Sequence, residues 1–255
     1  MTLADTPTSD PLELQAQILE LEKSGLVTRT FRRLDPDRQE AVVNAILEEA
    51  AEKGPAAISI KQVAQRAEAS VGSLYQYFGS RSGLMQFAVR FVVRSVVALF
   101  KLSQPYLACM PLREALKSYL TEGVKWGQLQ GGLVRFFARA AYQGDHDLSQ
   151  SVVRPIAVVM RQTVRDMLAQ AAARGEVRSD VDLEAAARVV NVLMIALGDA
   201  QLLPYLNTYY QAIDRDITPD RLLDAALDLI LQGVAPVKAS IKTRRSRESG
   251  RTAGA

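Results

Sequence analysis

Cysteine and histidine are almost missing from this chain: Cys109 and His146 are the only examples of each. A single thiol excludes an internal disulfide and suits a reducing compartment, so a cytoplasmic location is expected. So few soft ligands leave no set with metal-binding spacing. Asp145-His146-Asp147 reads as a polar loop between helices, and Cys109 as a buried apolar filler. A glycine-rich phosphate loop, a paired-carboxylate motif and a nucleophile elbow are all missing. No residue is therefore assigned to catalysis, to a metal or to a cofactor, and an enzyme is not expected. Long uncharged apolar runs are missing too. The most apolar stretch, Leu84 to Leu102, is broken by Arg90, Arg94 and Lys101, which argues against a membrane span. Met1 to Asp10 is polar, without the basic start and apolar centre of a secretory signal.

What is present is a chain of 255 residues, 48% hydrophobic, rich in Ala, Leu and Val. Aromatics make up only 6%, and Pro and Gly punctuate periodic segments. This predicts an all-α protein with a sizeable core. The net charge of +3 is misleading. The tail holds Lys238, Lys242, Arg244, Arg245, Arg247 and Arg251 against Glu248 alone, so the rest of the chain is net acidic. Basicity of the whole chain is then no sign of nucleic-acid binding by its folded part.

Four regions are expected. Residues 1–34 form an N-terminal extension with a short helix and a basic arm. Asp10-Pro11 caps that helix, Leu14, Ile18 and Leu21 give its stripe, and Arg29, Arg32 and Arg33 lie in a connector from 26 to 34. Residues 35–80 form a three-helix domain, 81–234 a helical domain, and 235–255 a disordered basic tail. Within 35–80, Asp35-Pro36 starts a helix whose stripe is Val43, Ile46, Leu47 and Ala50, stopped at Gly54-Pro55. Ser59 caps a short helix, with Gln62 as its reciprocal partner in a capping box. Ser70 caps another that runs through Phe78. Ser80 caps a long helix from Arg81 to about Ser103. Further helices are expected at about 111–129, 132–143, 148–174, 182–203 and 219–233, with Pro155 kinking or delaying the third.

The segment Ser59 to Phe78 carries the chemistry. Two short helices joined by a turn of three to four residues cannot bury both apolar faces on each other, and the helix at 36–53 completes a trihelical core. Leu74 and Phe78, four apart, mark the buried side of the second short helix. Its other side offers Ser70, Val71, Ser73, Gln76 and Tyr77. Hydroxyls and first-turn amides suit phosphate oxygens. Gly72 admits close approach of a strand, Val71 suits a thymine methyl, and Gln76 can bond an adenine edge in a bidentate way.

These residues resemble a known family. From about Asp37 to Met85, and above all in Ile58-Ser59, Val63-Ala64, Ser70-Val-Gly-Ser-Leu-Tyr-Gln-Tyr-Phe78, Arg81 and Leu84, the chain is similar to the DNA-binding domain of the tetracycline-repressor (TetR) family. The resemblance implies an N-terminal helix-turn-helix domain joined by a long helix to a C-terminal helical ligand-binding and dimerisation domain. It implies a cytoplasmic homodimer that reads double-stranded DNA at a near-palindromic operator. Its most frequent form is a repressor released by a small apolar or amphipathic effector; a regulator of the same fold answering to a protein partner, or to nothing, is the alternative. By position, Ser59, Lys61, Ser70, Val71, Gly72, Ser73, Tyr75, Gln76, Tyr77 and Arg81 would face DNA. Gly79 stands where a lysine is common, Tyr77 where a histidine is common, and the N-terminal extension is longer than usual.

Two further sets are expected from pattern. Trp126, Phe136, Phe137, Met160, Met167 and Asn191 are expected to converge on an effector pocket in the C-terminal bundle. Leu183, Ala187, Val190, Met194 and Leu197 of one long helix, with Leu223, Leu227 and Ile230 of another, are expected at a two-fold dimer contact.

Overall fold

The computed structural model describes residues 11–54, 57–142, 144 and 146–236, and among them only helices and connecting turns are found. The residues 1–10 and nearly all of the basic tail lie outside the described residues. The helices are α1 (Pro11–Lys23), α2 (Arg29–Arg32), α3 (Pro36–Lys53), α4 (Ile60–Arg66), α5 (Val71–Phe78), α6 (Arg81–Cys109), α7 (Leu112–Leu129), α8 (Gly131–Tyr142) and α9 (His146–Leu148). A π-helical turn at Ser149–Val153 follows, then α10 (Arg154–Ala173), α11 (Leu183–Leu202), α12 (Pro204–Tyr210) and α13 (Pro219–Val234).

The caps act where their residue types require. Asp35 accepts from the Arg38 amide at 3.0 Å, Ser70 from Ser73 at 2.9 Å, and Ser80 from Gly83 at 3.0 Å. Each satisfies an amide left without a partner in the first turn of its helix. The box at Ser59 differs from expectation. Its hydroxyl accepts from the Gln62 amide at 3.4 Å, but its own N–H donates to Glu49 Oε1 of α3 at 3.3 Å. Glu49 is buried and also faces Arg66 at 3.5 Å, so α3 supplies the return contact that Gln62 was expected to make.

Two prolines explain the other departures. Helix α6 continues six residues past Ser103, through Pro105. Pro105 cannot donate a backbone hydrogen bond, but it and Lys101, whose carbonyl would have received that bond, are both exposed, where water can serve instead. Pro155 falls in the first turn of α10, where no N–H is needed, and the π-helical turn re-registers the chain into it. Cys109 ends α6 and is exposed, contrary to its reading as a core filler. Helix α12, which buries no side chain, has no apolar stripe that would have announced it.

Helix α6 is the axis. It packs chiefly along α10 and also touches α1, α3, α5 and α7. Among the described helices it is the one long and apolar enough to span a membrane, yet here it is a packed central helix carrying Arg90, Arg94 and Lys101 on its exposed side. The buried side chains fall into two clusters. The first joins α1–α5 and the first half of α6 to α8, the π-helical turn and the start of α10. The second joins the end of α6 to α7, the rest of α10, α11 and α13.

Candidate DNA-reading head and effector cavity

The trihelical core forms as the sequence pattern demands. Val43, Ile46, Leu47 and Ala50 of α3 are buried with Ile60, Val63, Ala64 and Ala67 of the α4 region and Leu74 and Phe78 of α5. The turn into α5 passes through Glu68 in the left-handed region, φ 50°, with no glycine to relieve it. The Glu68 carbonyl receives Arg38 Nη1 at 3.5 Å.

That packing leaves one face of α5 outward. Ser70, Val71, Gly72, Tyr75 and Gln76 are exposed, Ser73 is half-buried, and Lys61 of α4 is exposed nearby in sequence. The hydroxyls of Ser70 and Ser73 lie 2.8 Å apart and bond each other. A Cβ added at Gly72 would meet only Ser70 Oγ, at 3.7 Å, so no packing inside the chain demands glycine there. Gly83 is the opposite case: an added Cβ would sit 2.1 Å from the Phe78 carbonyl oxygen, which fixes glycine where α5 turns into α6. Tyr77 is half-buried, its ring 5.5 Å from that of Phe31, so it lies between surface and core. Arg81 is exposed and its Nε donates to the Ile58 carbonyl at 2.9 Å, bracing the loop that leads to Ser59.

The N-terminal extension is part of this head. Thr28 donates its amide to the Tyr77 carbonyl at 3.0 Å and its hydroxyl to the Gln76 carbonyl at 2.8 Å, so it closes the C-terminal end of α5. Phe31, within the segment read as a basic connector, is fully buried. Its ring lies 5.2 Å from Phe78 and 5.8 Å from Phe87. Gln39 of α3 is buried as well and donates to the carbonyls of Phe31 at 3.1 Å and Arg32 at 3.0 Å. Arg32 pairs with Glu22, whereas Arg29 and Arg33 are exposed.

A cavity of about 330 Å³ opens in the C-terminal bundle, walled by side chains of α6, α7, α8, α10 and α11 with the π-helical turn. Trp126, Phe137 and Met160 line it, as expected. Phe136, Met167 and Asn191 do not. Phe136 lies about 100° around α8 from Phe137, which turns it into the first core cluster. Met167 is packed in the second cluster, and Asn191 is buried with its Oδ1 lacking a partner. The sequence pattern missed Asp199, the one charged side chain in the wall among the described residues, and Tyr119, whose buried hydroxyl meets no partner there. Tyr142 donates its hydroxyl to Asp199. Burial pushes the Asp199 carboxyl above the usual carboxylate range, against the opposing effect of that bond. Burial and the bond to Asp199 push the Tyr142 phenol upward too.

Helix α8 connects cavity and head. Phe137, Ala138, Ala141 and Tyr142 face the cavity. Arg139, between them, reaches the C-terminal end of α3, donating to the carbonyls of Ala51 at 3.4 Å, Glu52 at 2.9 Å and Lys53 at 3.1 Å. A cation at the negative end of a helix also complements its dipole. Gly54 closes α3 at φ 87°, and a Cβ there would lie 2.9 Å from Arg139 Nε.

The side chains expected at a dimer contact are used within the subunit. Ala187, Val190, Met194 and Leu197 of α11 and Leu223, Leu227 and Ile230 of α13 are buried in the second cluster, and Leu183 is packed against it. The period of 3.6 picked out the inner faces of these helices. Their outer faces are apolar too: Ala185, Val189 and Val192 on α11, and Ala225 and Leu229 on α13, are exposed.

Residues 42–86 match the family model described as bacterial regulatory proteins, tetR family. Solved structures share the fold across most of the chain. A TetR family transcriptional regulator from Chloroflexus aurantiacus is 19% identical with a TM-score of 0.54, covering 82% of this chain and 99% of its own. The TetR family transcriptional regulator PfmR from Thermus thermophilus is 18% identical with a TM-score of 0.51, covering 76% and 96%. A structure described as the molecular basis for control of antibiotic production by bacterial hormones is 18% identical with a TM-score of 0.55, covering 80% and 100%. A search of curated proteins gave no match. Residues 42–86 thus match the tetR family model through the helix-turn-helix, and the chain shares the fold of these solved regulators over about four-fifths of its length.

Proposed function

We propose that this protein is a homodimeric repressor that reads a near-palindromic operator through α5 and leaves it when a small apolar or amphipathic effector fills the bundle cavity. The observation that carries the reading is helix α8, which lines the cavity and, through Arg139, holds the end of the first helix of the trihelical core. The head comprises residues 35–80 together with the docked segment 11–34, and residues 81–234 form the effector-binding and dimerisation domain. Gln76 reads a base, with Val71 and Gly72 beside it. Ser59, Lys61, Ser70, Ser73, Tyr75, Tyr77 and Arg81 hold the backbone. The two subunits join through the outer faces of α11 and α13, around Val189, Val192 and Leu229.

The mechanism is a population shift between two conformers. An effector that favours a displaced α8 carries Arg139 and the end of α3 with it, and the two heads no longer match half-sites spaced by whole helical turns. Electrophoretic shift on DNA upstream of the gene, repeated with cavity ligands, tests the reading. A specific shift that the ligands reverse supports it. A shift that no cavity ligand reverses removes effector control, and the absence of a shift removes the repressor.

A further inference from the structure

We propose that the effector is a hydrophobic cation, with its ammonium or similar head on Asp199 and its apolar body in the cavity. This rests on the cavity being the effector site.

Among the described residues Asp199 is the only charged side chain lining the cavity. Among the described residues no lysine or arginine forms an ion pair with it, although the surface of the same bundle is laced with such pairs. Its recorded hydrogen-bond donor is Tyr142. A carboxylate held in an apolar wall without a counter-ion is costly, and a bound cation would supply that counter-ion. The neighbouring ring fits the same head group. Tyr142, which lines the cavity beside the carboxylate, is an aromatic ring of the kind that attracts alkylammonium groups. An anionic head is disfavoured, because the wall offers it Asp199 and no basic side chain.

The second polar feature is Tyr119. Only 8% of it is exposed, and its hydroxyl lies buried without a hydrogen-bond partner in the wall of the same cavity. Burial with no partner pushes its phenol well up, so it stays protonated and able to donate. A ligand atom that accepts a hydrogen bond would satisfy it. The cavity thus asks for an apolar molecule with a cationic end and one further hydrogen-bonding atom, of a size at the small end of ligand pockets.

Trp126 is the only tryptophan in the chain and lines the cavity, so its fluorescence reports occupancy directly. The test titrates the full-length protein with decylamine, decanol and decanoate at neutral pH. Decylamine is expected to bind about tenfold more tightly than decanol, with decanoate weakest. Asp199→Asn is expected to abolish the preference for the amine while leaving decanol binding in place. Should that variant fold poorly, the order of the three probes on the unaltered protein decides alone. Equal binding of amine and alcohol, or tighter binding of decanoate, overturns the cation assignment and leaves the cavity standing. No response of Trp126 to any of the three overturns the cavity as effector site as well.

Discussion

The head and the bundle of this protein are packed to different standards. In the head, rings from three different elements, Phe31, Phe78 and Phe87, close on one another at centroid separations of 4.9–5.8 Å. Most of its polar interior groups are engaged: Gln39 serves two carbonyls, and Glu49 accepts the Ser59 amide on Oε1, while its buried Oε2 has Arg66 at 3.5 Å but no hydrogen bond. In the bundle, α6, α7, α8, α10 and α11 stand round about 330 Å³ of empty space, with a phenol lacking a partner and a lone carboxylate in its wall. A surface that must meet DNA in one register benefits from rigidity. A sensing domain needs room and unsatisfied groups that a ligand can complete. The difference teaches that the reading face is preorganised, whereas the cavity is incomplete until filled.

The largest effect that would break this contrast comes from Phe31→Ala. Removing a fully buried ring from the head should cost about 3–5 kcal/mol by denaturant unfolding and abolish specific DNA binding. A cost below about 1 kcal/mol would show that the extension is an ornament and that the head is less tightly packed than its ring contacts indicate. A matched glycine pair sharpens the comparison. Gly83→Ala forces a Cβ against the Phe78 carbonyl and should destabilise by about 1–3 kcal/mol or more. Gly123→Ala, in the cavity wall with nothing within 4 Å of the added Cβ, should raise stability by about 0.4–1 kcal/mol. Thermal melts of the two variants should therefore move in opposite directions.

Arg139→Ala tests the link between the regions. Losing its charged hydrogen bonds to the end of α3 should cost about 1.5–3 kcal/mol of stability. It should also weaken the effect of a cavity ligand on DNA affinity while Trp126 still reports binding. Unchanged coupling in that variant would move the connection elsewhere. The smallest effect on stability belongs to Gly72→Ala, expected to be neutral or stabilising by under about 1 kcal/mol, since the position is open. Its operator affinity should nonetheless fall, because the added methyl lies on the face assigned to DNA.

The same contrast decides what could be read from sequence. The head was legible because local rules fix it. Asp35, Ser59 and Ser70 cap helices at the expected residues, and Leu74 and Phe78 orient α5. Its tertiary contacts were hidden: nothing local marks Phe31 and Thr28 as partners of α5, 46–49 residues away, or gives the amide of Ser59 to Glu49. In the bundle, periodicity located the helices but could not separate packing from lining. Phe136 and Phe137 are chemically identical neighbours about 100° apart round one helix, one in the core and the other at the cavity. Likewise Val190 and Val192 share a helix, yet one is inside the subunit and the other is 66% exposed. Where two faces of a helix are both apolar, the amphipathic signal weakens and the stripe with the larger side chains is chosen.

The proposed function depends most on α5 as the reading element, with Gln76 as the residue that would recognise a base. Gln76 is exposed on that helix and is the one group on its outer face that pairs a donor and an acceptor on one plane, matching an adenine edge in the major groove. The direct measurement is selection of randomised operators by the unaltered protein and by Gln76→Ala. The expected result is a near-palindromic preference in which the variant loses discrimination at one position per half-site, at a cost of about 1–3 kcal/mol on the preferred sequence. Identical preferences from the two proteins would contradict it.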